Sequence, residues 1–150
     1  MADFSFDLPS DLMEGLLQTD FEEIAQECLK EAAPVLETTM KSKVKASISH
    51  SGDSEMVSSI KARKPRKGKN GDFSVFVGPS GYSDHTYNKG KNKQRKYKVS
   101  NALKGIWLEY GIQHPTHHQP AKPFITASVH ACKDAVMRKM QEAYNRKVDT

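Results

Sequence analysis

Apolar residues recur with a 3.6-residue period from residue 21 onward: Phe21, Ile24, Ala25, Cys28, Leu29, Ala32, Leu36, Met40 and Val44. This spacing predicts one long helix with a single buried stripe. Thr19-Asp20-Phe21-Glu22 reads as its capping box. Pro34 removes one backbone bond and predicts a kink between Lys30 and Pro34. Upstream, residues 1–10 read as an extended arm ending at Pro9-Ser10, and Asp11 to Leu17 as a short helix. A second long helix starts near Pro123, with Ile125, Val129, Cys132, Val136, Met140 and Ala143 as its stripe.

The middle of the chain changes period. His50 to Asp53 is a turn, and Met56 and Val57 fit a short helix. Ile60 to Arg66 and Phe73 to Val77 predict two strands around the Asn70-Gly71 turn, a hairpin over 60–78 ended by Gly78-Pro79. Residues 80–98 have almost no aliphatic side chains and read as a long flexible basic loop, with room for a strand near Arg95 to Val99. Ser100-Asn101 caps a helix through Ala102, Leu103, Ile106, Trp107 and Tyr110, and Gly111 stops it. After it comes a connector rich in His and Pro, whose prolines predict stiffness. The fold class is α+β: two long amphipathic helices packed on a small antiparallel β-sheet, with a long basic loop, as one domain over 1–150.

Charge adds a polarity that the net +5 hides. Residues 1–37 hold ten acids and Lys30, a balance of −9. Residues 61–98 hold twelve Lys/Arg against Asp72 and Asp84, a balance of +10. This suits head-to-tail packing between copies, or one face turned to a polyanion. With 37% hydrophobic residues the core is modest and carries polar extensions. No run of about 18 apolar residues exists to span a membrane. The acidic start, Met1 to Asp7, is unlike a secretory signal, so a cytoplasmic site of synthesis and residence is expected.

The candidate chemistry is sparse. Cys28 and Cys132 fall on apolar helix faces and read as buried free thiols. His114, His117 and His118 share a loop, but a metal site needs three or four convergent ligands, so no metal and no cofactor is expected. Glu109, beside Trp107 and Tyr110, fits a structural carboxylate better than a general acid. No phosphate loop or nucleophile motif occurs, so the chain does not read as an enzyme. Lys89, Lys91, Lys93, Arg95, Lys96 and Lys98, interleaved with tyrosines, read as a solvated loop or one that docks on the acidic N-terminal region of a neighbour; they are also the candidate DNA-proximal set, for non-specific and salt-sensitive contact. Trp107 and Phe124 read as core anchors, with an interface role for either as the alternative.

Leu108-Glu109-Tyr110-Gly111 and Gln119-Pro120-Ala121-Lys122-Pro123-Phe124, with the order of elements around them, carry a family resemblance. Over about residues 15–145 the chain resembles the neck and tail-completion proteins of tailed phages, typified by the gene-ten product of Hong Kong 97-type phages. Ile125-Thr126-Ala127-Ser128 departs from the family pattern after Phe124. The resemblance implies a virion protein at the head–tail junction, made in the host cytoplasm. It implies a homo-oligomeric ring, hexameric or dodecameric, joining the head connector to the tail tube. Its partners would be head-closure, connector, tail-terminator or tail-tube proteins, with packaged DNA as a non-specific neighbour. The candidate interface residues are Trp107, Glu109, Tyr110, Gly111, Gln119, Pro120, Lys122, Pro123 and Phe124. The alternatives are a free non-specific nucleic-acid-binding protein and, more remotely, a nuclease using Glu109 and the histidines.

Overall fold

The structure is a computed structural model and describes residues 21–48, 54–86, 96–115 and 117–149. The expected arm, the helix at 11–17, Thr19 of the capping box and the turn at 50–53 lie outside these residues. So do Lys89, Lys91, Lys93 and Arg95.

Helix α1, Phe21–Ser47, runs through Pro34 without interruption. It buries Ile24, Cys28, Leu29, Ala32, Ala33, Met40 and Val44. Helix α4, Phe124–Val148, lies antiparallel to it. Glu23 near the start of α1 pairs with Lys147 at 2.5 Å, and Glu31 pairs with Arg146. Between them, Ile24, Cys28, Leu29 and Ala32 pack on Cys132, Val136, Met140 and Ala143. The α4 stripe differs from the sequence expectation by one position at its start. Phe124 and Ser128 are buried, while Ile125 and Val129 are half-buried. Phe124 fills a second cluster with Met40, Val44, Met56, Ile60 and Val77. Ser128 can be buried because its hydroxyl donates to the Phe124 carbonyl one turn back.

A short helix α2, Ser54–Ser59, leads into the expected hairpin. This hairpin consists of two short ladders. Strand β1, Lys61–Ala62, pairs with β4, Val77–Gly78, and β2, Arg66–Lys67, pairs with β3, Phe73–Ser74. Three residues (63–65) separate the ladders on one strand and two (75 and 76) on the other. Arg63 N–H still donates to the Phe76 carbonyl at 2.8 Å, so the extra residue is a bulge at Lys64-Pro65. Pro65 has no N–H to offer the ladder, and a bulge accommodates that. The tip closes with Gly68 N–H on the Asp72 carbonyl at 2.7 Å, and Gly71 takes φ +87° there. On the α1 side, Glu37 accepts from Lys41 at 2.6 Å and from Ala62 N–H at 2.8 Å, which ties helix to hairpin.

Residues 80–98 are not a loop throughout. Strand β5, Tyr82–Thr86, pairs with β6, Lys96–Ser100, over five positions from Tyr82–Ser100 to Thr86–Lys96. The ladder lacked an aliphatic signal because it is held by polar pairs: Asp84 faces Lys98 and bonds it at 2.8 Å. Helix α3, Asn101–Tyr110, follows. The connector beyond it also differs from expectation, as it contains a small hairpin in which β7, Ile112–His114, pairs with β8, His117–Gln119.

Candidate interaction surface

Helix α3 faces the opposite way from the simple hydrophobic reading. Its buried positions are Asn101, Lys104, Gly105 and Glu109. Its large apolar residues at i, i+3 and i+7 are exposed: Leu103 41%, Ile106 52% and Tyr110 73%.

A polar network makes this possible. Lys104 is 5% exposed. Its ammonium donates to Ser83 Oγ at 2.7 Å and to the Asp84 carbonyl at 2.8 Å. Ser83 donates in turn to Asn101 Oδ1 at 2.5 Å, and Asn101 Nδ2 donates to the Ser80 carbonyl at 2.8 Å. A buried cation is costly unless its donors are used, and here strand β5 supplies the acceptors. Asn101 thus anchors the helix through its side chain, whereas Ser100, the expected cap, makes no side-chain cap bond. Gly105 lets the helix approach the core: a Cβ there would lie 3.1 Å from Pro79 Cγ and 3.6 Å from the Phe124 ring.

Glu109 is structural. Its carboxylate accepts from Ile125 N–H at 2.8 Å, from Thr126 N–H at 3.2 Å and from the Thr126 hydroxyl at 2.6 Å. Helix α4 begins at Phe124, and Pro123 before it provides no cap bond. Glu109 therefore caps α4 from a different helix, with its negative charge at the positive end of the dipole. Gly111 takes φ +76°, and a Cβ on it would lie 2.6 Å from the Gln119 carbonyl and 2.8 Å from Ala121 N. Lys122 N–H donates to the Leu108 carbonyl at 2.7 Å, and its ammonium reaches the Ser47 carbonyl at the end of α1 at 2.9 Å. Leu108–Gly111 and residues 119–124, the two segments that carry the resemblance, are thus one interlocked unit.

Of the nine candidate interface residues, Phe124 is 1% exposed and is a core anchor. Trp107 is half-buried and packs its ring on His85, centroids 5.7 Å apart. Glu109 and Gly111 serve the fold. Tyr110, Pro120, Lys122 and Pro123 are exposed, and Gln119 is half-buried. Of the DNA-proximal set, Lys96 and Lys98 are exposed on β6. The Lys98–Asp84 bond holds the Asp84 carboxyl below its ordinary range and raises the Lys98 ammonium. Acids on α1 do not present a free acidic face, because Glu22, Glu23 and Glu31 pair with Lys67, Lys147 and Arg146 within the chain. Both cysteines are buried, and burial raises both thiols. Among the described residues no group of three His, Cys, Asp or Glu could hold a metal ion.

What remains exposed on α3 carries no charge, since Lys104 and Glu109 are its only ionisable groups besides Tyr110. Ile106, Glu109 and Tyr110 form one wall of a groove of about 230 Å³, and Ile125, Thr126, Val129 and His130 of α4 form the other. Sequence periodicity missed this surface because Leu103, Ile106 and Tyr110 look like a core stripe. The available signal was Gly105, since a glycine inside a helix usually marks close packing on its own face.

The small α+β domain exposes an uncharged apolar helix face, a kind of surface that marks contact with other proteins. The sequence matches, over residues 7–111, the family described as "Bacteriophage HK97-gp10, putative tail-component". The match spans 105 of 150 residues, and the chain belongs to that family. It includes Leu108–Gly111 and stops before residues 119–124, so it is displaced toward the N-terminus from the 15–145 resemblance. No curated protein and no solved structure matches the chain.

Proposed function

We propose that this phage tail component is a structural subunit at the head–tail junction, closing with copies of itself into a ring between the connector and the tail tube. The observation that carries this reading is the uncharged face of α3, with Ile106 and Tyr110 beside the α4 groove. Apolar patches rimmed by polar residues on small proteins mark contact sites. Identical subunits joined through two different surfaces close into rings when the rotation allows. The β5–β6 hairpin, with Lys96 exposed and Tyr82 72% exposed, supports a second contact of non-specific kind with DNA passing the ring.

Light scattering of the purified protein, alone and with phage tails, tests the reading at low and high salt. Ring-sized particles or co-sedimentation with tails are expected. A monomer that ignores tails and binds DNA in a salt-dependent way would move the function to the nucleic-acid alternative.

A further inference from the structure

We infer that the α3–α4 groove receives residues 1–20 of a neighbouring copy, an inference that rests on the ring reading above. Three observations converge on this occupant.

The first is charge. Residues 1–20 contain Asp3, Asp7, Asp11, Glu14 and Asp20 and no Lys or Arg. Residues 96–138, the stretch that contains the groove's lining residues, hold six Lys/Arg against Glu109 and Asp134. With Lys104 buried and Lys98 paired to Asp84, Lys96, Lys122, Lys133 and Arg138 stand against Asp134 and the groove-lining Glu109, a balance of +2. The acids of α1 at Glu22, Glu23 and Glu31 already have partners within the chain, and on the basic side Lys98 pairs with Asp84 and the Lys122 ammonium with the Ser47 carbonyl.

The second is apolar surface. Leu12, Met13, Leu16 and Leu17 have the spacing of one helix face, and Phe4 and Phe6 add aromatic anchors. An amphipathic helix laid into an apolar groove is a recurring mode of protein recognition.

The third is placement. Residues 1–20 join α1 at Phe21, the end of the helix pair where Glu23 meets Lys147. The groove lies at the other end, where Phe124 packs with Met40. Nineteen residues of helix separate Phe21 from Met40, about 28 Å at 1.5 Å per residue. Donor and acceptor at opposite ends of one subunit give a head-to-tail contact, the kind that builds rings.

Photo-crosslinking of the full chain tests this. Phe6→p-benzoylphenylalanine is irradiated in a mixture of ordinary and 15N-labelled protein, and crosslinks are mapped by mass spectrometry. Crosslinks to residues 103–110 or 125–130 of a different copy are expected, and Ile106→Glu should reduce their yield at least tenfold. Tyr110→Ser, at a 73% exposed position that the fold does not need, should reduce it as well. Crosslinks within one copy, crosslinks elsewhere, or yields unchanged in both variants overturn the inference. Rings that still form without the crosslink leave the ring standing and remove this contact. Inter-copy crosslinks without rings or tail binding leave the contact standing and remove the ring.

Discussion

Gly111 carries two constraints at once, a positive φ and a backbone 2.6 Å from where a Cβ would sit. Either alone penalises a side chain. Gly111→Ala is expected to destabilise by about 2–4 kcal/mol, from left-handed strain plus displacement of residues 119–121, and urea unfolding measures it. A loss under about 0.5 kcal/mol would mean that the connector is not held against α3. Glu109 is the neighbouring test. Glu109→Ala removes the acceptors of Ile125 N–H and Thr126 N–H and should cost roughly 1–3 kcal/mol. Glu109→Gln keeps one acceptor oxygen and should recover part of that loss, an order that a catalytic role would not produce in an unfolding curve. Glu37 shows how pH enters. The Lys41 ammonium, then the Ala62 N–H, hold its carboxyl below the ordinary value. Its contribution is therefore complete above the unfolded-state pKa and fades as pH falls through the folded one. The Tm gap between wild type and Glu37→Gln should be widest near neutrality and close in acid. A gap constant down to pH 3 would show that the bonds to Lys41 and Ala62 do not depend on the charge.

At the scale of elements, what was legible depended on which force holds each one. The two long helices could be read because apolar burial fixes them, and Cys28, Met40, Cys132 and Met140 lie where the period put them. The β5–β6 ladder was unreadable as a whole because Asp84–Lys98 and the Ser83–Lys104 bond hold it, and such pairs are visible only once the strands meet. Helix α3 was legible as a helix, but which face it buries was not. Glu109 was legible as a structural carboxylate, but its target at Ile125 and Thr126 follows from tertiary approach alone. The exposed face now makes its own prediction. Ile106→Glu is expected to leave thermal stability within about 0.5 kcal/mol of wild type, because the side chain is surface. The same change should weaken self-association or tail binding at least tenfold. A cooperative loss of stability instead would show that Ile106 belongs to the core. Serine at Lys89, Lys91, Lys93, Arg95, Lys96 and Lys98 together should spare assembly and alter DNA retention in particles; unchanged retention would separate the hairpin from DNA.

For the whole molecule, burial and exposed charge divide the labour. Both thiols sit in the helix pair, Cys28 Sγ against the Met140 carbonyl at 3.4 Å, and burial raises their pKa. They should react with Ellman's reagent only as fast as the fold opens; fast labelling in native buffer would mean the helices part readily. Exposed pairs at Glu23–Lys147 and Glu31–Arg146 align the same helices at one end, and the Lys122–Ser47 bond closes the other. Because α1 and α4 are antiparallel, Phe21 and Val148 emerge at the same end of the helix pair. A pull applied through both emerging strands of chain would therefore peel the helices apart one layer at a time, a mode that resists little force. A load entering sideways through α3 meets the Glu109 cap and the Phe124 cluster together and must shear many contacts at once. In the ring proposed above, the second route is the one on which the Glu109 cap and the Phe124 cluster would share the load.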